Sequence, residues 1–107
     1  MIEKLLETMK AKDYKAMAEL FDINGSYTDY CPMHLGLTNF DIKGKGGIEM
    51  LMRNRFGLGG YEIFDPIVLD EKTGNFFGCY EGMYISCVLT IESVRDGRIN
   101  RAVVRPR

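Results

Sequence analysis

The sequence predicts a single α+β domain, with helices gathered in the first half and a mainly antiparallel sheet after them. Two observations carry this. Apolar residues recur at helical spacing between Ile2 and Phe56, and from Tyr61 onward they alternate with a period of two. Helices first and strands later is the α+β order, which packs the helices on one side of a curved sheet.

Taken in order, Ile2, Leu5, Leu6 and Met9 fall on one face of a first helix. Asp13 is placed to cap a second helix, in which Tyr14, Met17, Leu20 and Phe21 repeat the spacing. Asn24-Gly25 is expected to break that helix, and the β-branched and aromatic content of Ser26 to Cys31 reads as a strand ended by Pro32. A loop through His34 leads to a short extended piece, Phe40 to Lys43. Gly44 to Gly47 then precede a third helix striped by Ile48, Leu51, Met52 and Phe56. Four strands follow. Pro66 suggests a bulge or an edge, and Lys72-Thr73-Gly74-Asn75, Glu81-Gly82 and Asp96-Gly97 mark the hairpin turns.

The 107 residues suit one domain spanning 1–107, with no room for a second, and bury roughly two thirds of the unfolded surface. A hydrophobic fraction of 46% against 27% charged excludes a disordered chain. Fourteen basic residues against 15 acidic leave no whole-molecule field for nucleic acid or an acidic membrane. The longest apolar runs are far shorter than the roughly 20 residues of a membrane helix. The N-terminus carries charge throughout, unlike a signal peptide, so a cytoplasmic protein is expected. Cys31, Cys79 and Cys87 form no CxxC pair and leave an odd thiol under any pairing. They are expected to be buried packing thiols of a reducing compartment. Five of the seven arginines crowd into the last thirteen residues, without interleaved aromatics, and read as charge protecting an edge strand.

The stretch from Met9 to Phe21, with its small-residue-then-Asp turn and its Leu-Phe ending, is followed by Gly25-Ser26-Tyr27-Thr28-Asp29. Lys43-Gly44-Lys45-Gly46-Gly47-Ile48 and Asp96-Gly97-Arg98-Ile99 come later. In this order, over nearly the whole chain, these stretches resemble the NTF2-like superfamily, and particularly its SnoaL-like and ketosteroid-isomerase-like members. The resemblance implies a cystatin-like cone with three N-terminal helices on the curved sheet, enclosing a pocket for a small, largely apolar ligand. It also implies a homodimer paired through sheet faces, consistent with Tyr84 and Val88 on the mixed face of the long strand.

In isomerase-like members, an Asp near the end of the first strand is the base that moves a proton beside a ketone, and Asp29 falls there. A base of this kind gains from apolar walls that raise its pKa. On that basis Asp29→Asn should leave the fold intact. The alternative is that Asp29 accepts backbone hydrogen bonds where the strand meets the Cys31-Pro32 turn. The oxyanion partners of those enzymes, a first-helix Tyr and a protonated Asp, have no counterparts: Leu5 and Leu89 or Ile91 stand at the corresponding positions. Tyr14, Tyr61, Tyr80 and Tyr84 are the remaining hydroxyl sources.

His34, the only histidine, stands close enough in sequence to act as a proton shuttle or substrate donor, or else is simply solvated. Leu5, Met9, Tyr27, Met52, Leu89 and Ile91 are the candidate ligand-binding residues. All but Tyr27, which shares Asp29's strand face, are candidate pocket walls between the first helix, the third helix and the sheet. Cys31, His34 and Asp29 lack the spacing of a zinc set, and the Gly44–Gly47 run lacks that of a phosphate loop, so no metal and no cofactor are expected. The functional expectation is a ligand-binding domain with isomerase-type or cyclase-type proton transfer by Asp29. The alternatives are a non-catalytic ligand-binding pocket and a dimeric interaction module.

Overall fold

The computed structural model describes residues 1–107. Helices α1 (Ile2–Lys10) and α2 (Tyr14–Glu19) open the chain, followed by strand β1 (Phe21–Asp29), a 3₁₀ turn (Pro32–Leu35), β2 (Phe40–Lys43) and helix α3 (Lys45–Phe56). Strands β3 (Tyr61–Val68), β4 (Thr73–Tyr80), β5 (Met83–Arg95) and β6 (Arg98–Pro106) complete it. All six strands form one sheet in the order β2-β1-β6-β5-β4-β3, antiparallel except where β1 runs parallel to β6. The helices cover its concave face. No helix is long and apolar enough to cross a membrane.

The helical stripes are the core. Ile2, Leu5, Leu6 and Met9 of α1 and Ile48 and Met52 of α3 meet the inward residues of the sheet, among them Ile63, Phe76, Leu89, Ile91 and Val104. The Asp13 side chain caps α2 by accepting from the Ala16 N–H at 3.0 Å. Pro66 does mark a bulge. The β3–β4 register shifts between Phe64 and Ile67, and Asp65 takes a left-handed backbone there.

Three local readings are corrected. The second helix stops at Glu19, and Phe21 is core from a strand rather than from a helix. The Leu20 carbonyl accepts from the Ile99 N–H at 2.8 Å, which draws the chain into the sheet early. Asn24-Gly25 therefore lies inside β1, at its register shift against β6, where a Cβ on Gly25 would meet the Ile99 carbonyl at 2.8 Å. The β3–β4 turn also falls earlier than expected, before Thr73. Gly74 is a strand residue whose missing side chain makes room for Leu6.

The expected apolar pocket between α1, α3 and the sheet is not a cavity. Leu5, Met9, Met52 and Leu89 have no exposed surface and Ile91 has 1%. They pack on one another, because in a chain this short every large apolar side chain that α1 and the sheet turn inward is needed to fill the core.

Candidate functional site at the mouth of the sheet

Strand alternation sends Tyr27 and Asp29 to the concave face, with Asp29 opposite Phe40 of β2 and Val104 of β6. The Asp29 side chain is fully buried. Its Oδ1 accepts the Cys31 N–H at 2.9 Å, the turn contact that β1's end favours. Its Oδ2 accepts from Arg55 Nη2 at 3.0 Å and from the Tyr80 hydroxyl at 2.7 Å. All three partners are donors, the surroundings an acceptor-only carboxylate requires. The walls around Asp29 are thus not merely apolar.

Arg55 reaches this point because it lies on the buried stripe of α3 with Ile48, Met52 and Phe56. Its guanidinium carbon stands 3.7 Å from the Tyr61 ring centre and 4.4 Å from that of Phe40, with Tyr80 at 5.5 Å. Desolvated cation–π contacts of this kind are worth about 2 kcal/mol. The Tyr61 and Tyr80 rings pack 5.0 Å apart, and Phe56 stacks on the far side of the cluster at 5.9 Å from Tyr61. Tyr80 can lie back toward Asp29 because Gly78 has no side chain: a Cβ there would come within 2.7 Å of its ring. Burial pushes the phenols of Tyr27, Tyr61 and Tyr80 above the ordinary tyrosine value.

Arg55, Tyr61 and Tyr80 form the buried end of an open cleft of about 970 Å³, walled by Leu37, Phe40, Leu51 and Leu58 and rimmed by Asn54 and Glu81. Three buried polar atoms here have no hydrogen-bond partner: Arg55 Nη1, Tyr61 Oη and Tyr27 Oη. Unpaired buried donors are costly and rare, and they concentrate where function requires them.

Of the residues expected from the sequence, the structure joins Asp29 to this cluster from behind, since it touches Arg55 and Tyr80 but does not itself line the cleft. Tyr27 shares its face, buried edge-on against Phe21 at 6.4 Å. His34 is exposed on the 3₁₀ turn, away from the cleft, and makes only the backbone bond from its N–H to the Cys31 carbonyl. Leu5, Met9, Met52, Leu89 and Ile91 belong to the core and do not reach the cleft. Arg55 and Phe40 were missed. For Arg55 a signal existed, because it stands seven residues after Ile48, on the apolar stripe. For Phe40 there was none, because only strand pairing brings it opposite Asp29.

No family model matches the sequence, and no curated protein matches it. Solved structures do. An NTF2-like protein of unknown function from Burkholderia xenovorans superimposes with a TM-score of 0.67 at 15% identity, covering 98% of this chain and 78% of that one. A SnoaL-like protein of unknown function from Burkholderia thailandensis gives 0.60 at 11% identity, covering 99% and 91%. A protein with a ketosteroid-isomerase-like fold from Catenulispora acidiphila, in complex with trimethylamine, gives 0.65 at 13% identity, covering 97% and 82%. At such identities the likeness is one of fold. A mixed six-stranded sheet wrapped on three helices, and its match to these structures across nearly the whole chain, show that this chain has the NTF2-like, cystatin-like fold.

Proposed function

We propose that this domain binds a small, largely apolar molecule in the cleft and orients a carbonyl-type acceptor toward Arg55 and Tyr61. The observation that carries the reading is the pair of buried, unpartnered donors, Arg55 Nη1 and Tyr61 Oη, on residues that line a cleft with apolar walls and a polar rim. Asp29 already balances the charge of Arg55, so what remains for a ligand is hydrogen bonding, which suits a neutral carbonyl better than a second carboxylate.

One observation favours a catalytic version. Tyr80 lines the cleft and donates to Asp29 at 2.7 Å, so Asp29 would act on a bound ketone through the Tyr80 hydroxyl rather than by direct contact. We place His34 outside either version. Native mass spectrometry and α-proton exchange with a panel of cyclic ketones test both. Saturable binding that Leu51→Trp blocks supports the binding domain, and exchange lost in Tyr80→Phe adds the catalytic version. No binding by any ketone would refute both.

The domain would work as a homodimer through the outer sheet face, where Phe77 and Tyr84 are 45% and 65% exposed and Phe64 packs on Tyr84. Light scattering should return twice 12.2 kDa, and a monomer at micromolar concentration would reject this.

A further inference from the structure

We propose that Cys31 and Cys87 are a modification site: a buried dithiol that hydrogen peroxide converts to a reversible disulfide. The two sulfurs come from positions 56 residues apart, beyond the end of β1 and from the middle of β5, with β6 between those strands. They meet at 3.4 Å with nothing between them. Strand alternation aims both inward: Cys87 shares its face with Leu89 and Ile91, and Cys31 continues the face of Tyr27 and Asp29. A disulfide needs about 2.05 Å between sulfurs, so closure asks each to move by well under an ångström.

The pair is also asymmetric. Its shared hydrogen bond, with help from Tyr80 and against burial, holds the Cys87 thiol below the ordinary value. The same bond, reinforced by burial, pushes Cys31 up. Cys87 is the sulfur that lies beside the cleft-lining Tyr80, so it is the one that peroxide meets first; on losing its proton it is the attacking thiolate. Its sulfur attacks one peroxide oxygen, the O–O bond breaks, and a sulfenic acid and hydroxide form. Cys31 sulfur then attacks Cys87 sulfur, the S–O bond breaks, and the Cys31 proton leaves with the oxygen as water. Two thiols and one peroxide thus give one disulfide and two waters.

Both sulfurs are fully buried, and the way in passes Tyr80, which lines the cleft and has its hydroxyl 3.9 Å from Cys87 Sγ. The bond would clamp the residue whose N–H holds Asp29 Oδ1, tying the redox state to the site. Cys79 provides an internal control. It is buried too, but it points to the other face of β4, opposite Glu62 and Tyr84, with no sulfur neighbour.

The test is peroxide treatment of the folded protein, followed by alkylation and non-reducing peptide mapping with a glutamate-specific protease. No Lys or Arg separates Cys79 from Cys87, whereas Glu81 does. The expected result is loss of two hydrogens in intact mass and one crosslinked pair containing Cys31 and Cys87, reversed by dithiothreitol and absent in Cys87→Ser. Mapping of the wild-type chain decides the matter even if that variant does not fold. A crosslink through Cys79 would overturn the proposal. So would oxidation that halts at an acid of Cys87 with Cys31 still reduced, or thiols that stay reduced at peroxide levels that oxidise the unfolded chain.

Discussion

Asp29→Asn makes the sharpest demand on the buried cluster. The substitution keeps the shape but only one acceptor oxygen, so its amide N–H group must face either the Cys31 N–H or the Tyr80 and Arg55 donors, and it leaves the Arg55 guanidinium, 4% exposed, without its counter-ion. Breaking a buried pair by removing one partner costs about 3–5 kcal/mol. At about 2.1 cal/mol/K per residue, the 107-residue chain unfolds with an entropy of roughly 0.22 kcal/mol/K, so Tm should fall by about 13–22 °C. This reverses the tolerance expected when Asp29 was read as an isolated base between apolar walls. Differential scanning calorimetry and urea unfolding measure it. Removing both charges in Asp29→Asn/Arg55→Met should recover much of the loss, because an apolar replacement of a whole pair is often neutral. Because either single removal strands a buried charge, the double-mutant cycle should then show a coupling of about 3 kcal/mol or more. A single variant within about 1 kcal/mol of the wild type, or strictly additive losses, would refute the reasoning.

Other consequences follow from the same geometry. Gly78→Ala drives a methyl to 2.7 Å from the Tyr80 ring and 3.3 Å from Cys87 Sγ; a loss of about 1–3 kcal/mol, with weakened ketone binding, is expected in denaturation and binding assays. At alkaline pH, the neutral phenols of Tyr27, Tyr61 and Tyr80 are favoured by the fold, their folded pKa values being raised by burial. Their contribution is complete below the ordinary value of about 10 and is lost as pH rises above it toward those raised values. Near-ultraviolet phenolate absorbance and far-ultraviolet circular dichroism should therefore change together for these residues; ionisation of all six tyrosines while the fold persists would contradict their burial.

Much of the fold was legible because it rests on local periodicity. The stripes of α1 and α3, the Asp13 cap, the extended piece at Phe40–Lys43 and the Pro66 bulge are each written within a few residues of themselves. Their order along the chain was enough to indicate the architecture. What failed locally failed where a distant partner overrode the signal. Ile99 drew Phe21 and Asn24-Gly25 into β1, and Leu6 required Gly74 inside a strand.

The candidate site divides the same way. Asp29's inward direction follows from strand alternation and its place at the end of β1, which the sequence alone supplied. Its chemistry does not. Apart from the Cys31 N–H of its own turn, the residues that surround it come from α3, β2, β3 and β4, at separations of 11 to 51 residues, and only the closing of the sheet around the helices brings Arg55 between Phe40 and Tyr61 or Cys31 against Cys87. The sequence by itself determined which side chains face inward, because that depends on a period of two or of 3.6. The tertiary structure decided which of them meet, and so turned expected pocket walls into solid core and an isolated carboxylate into half of an ion pair.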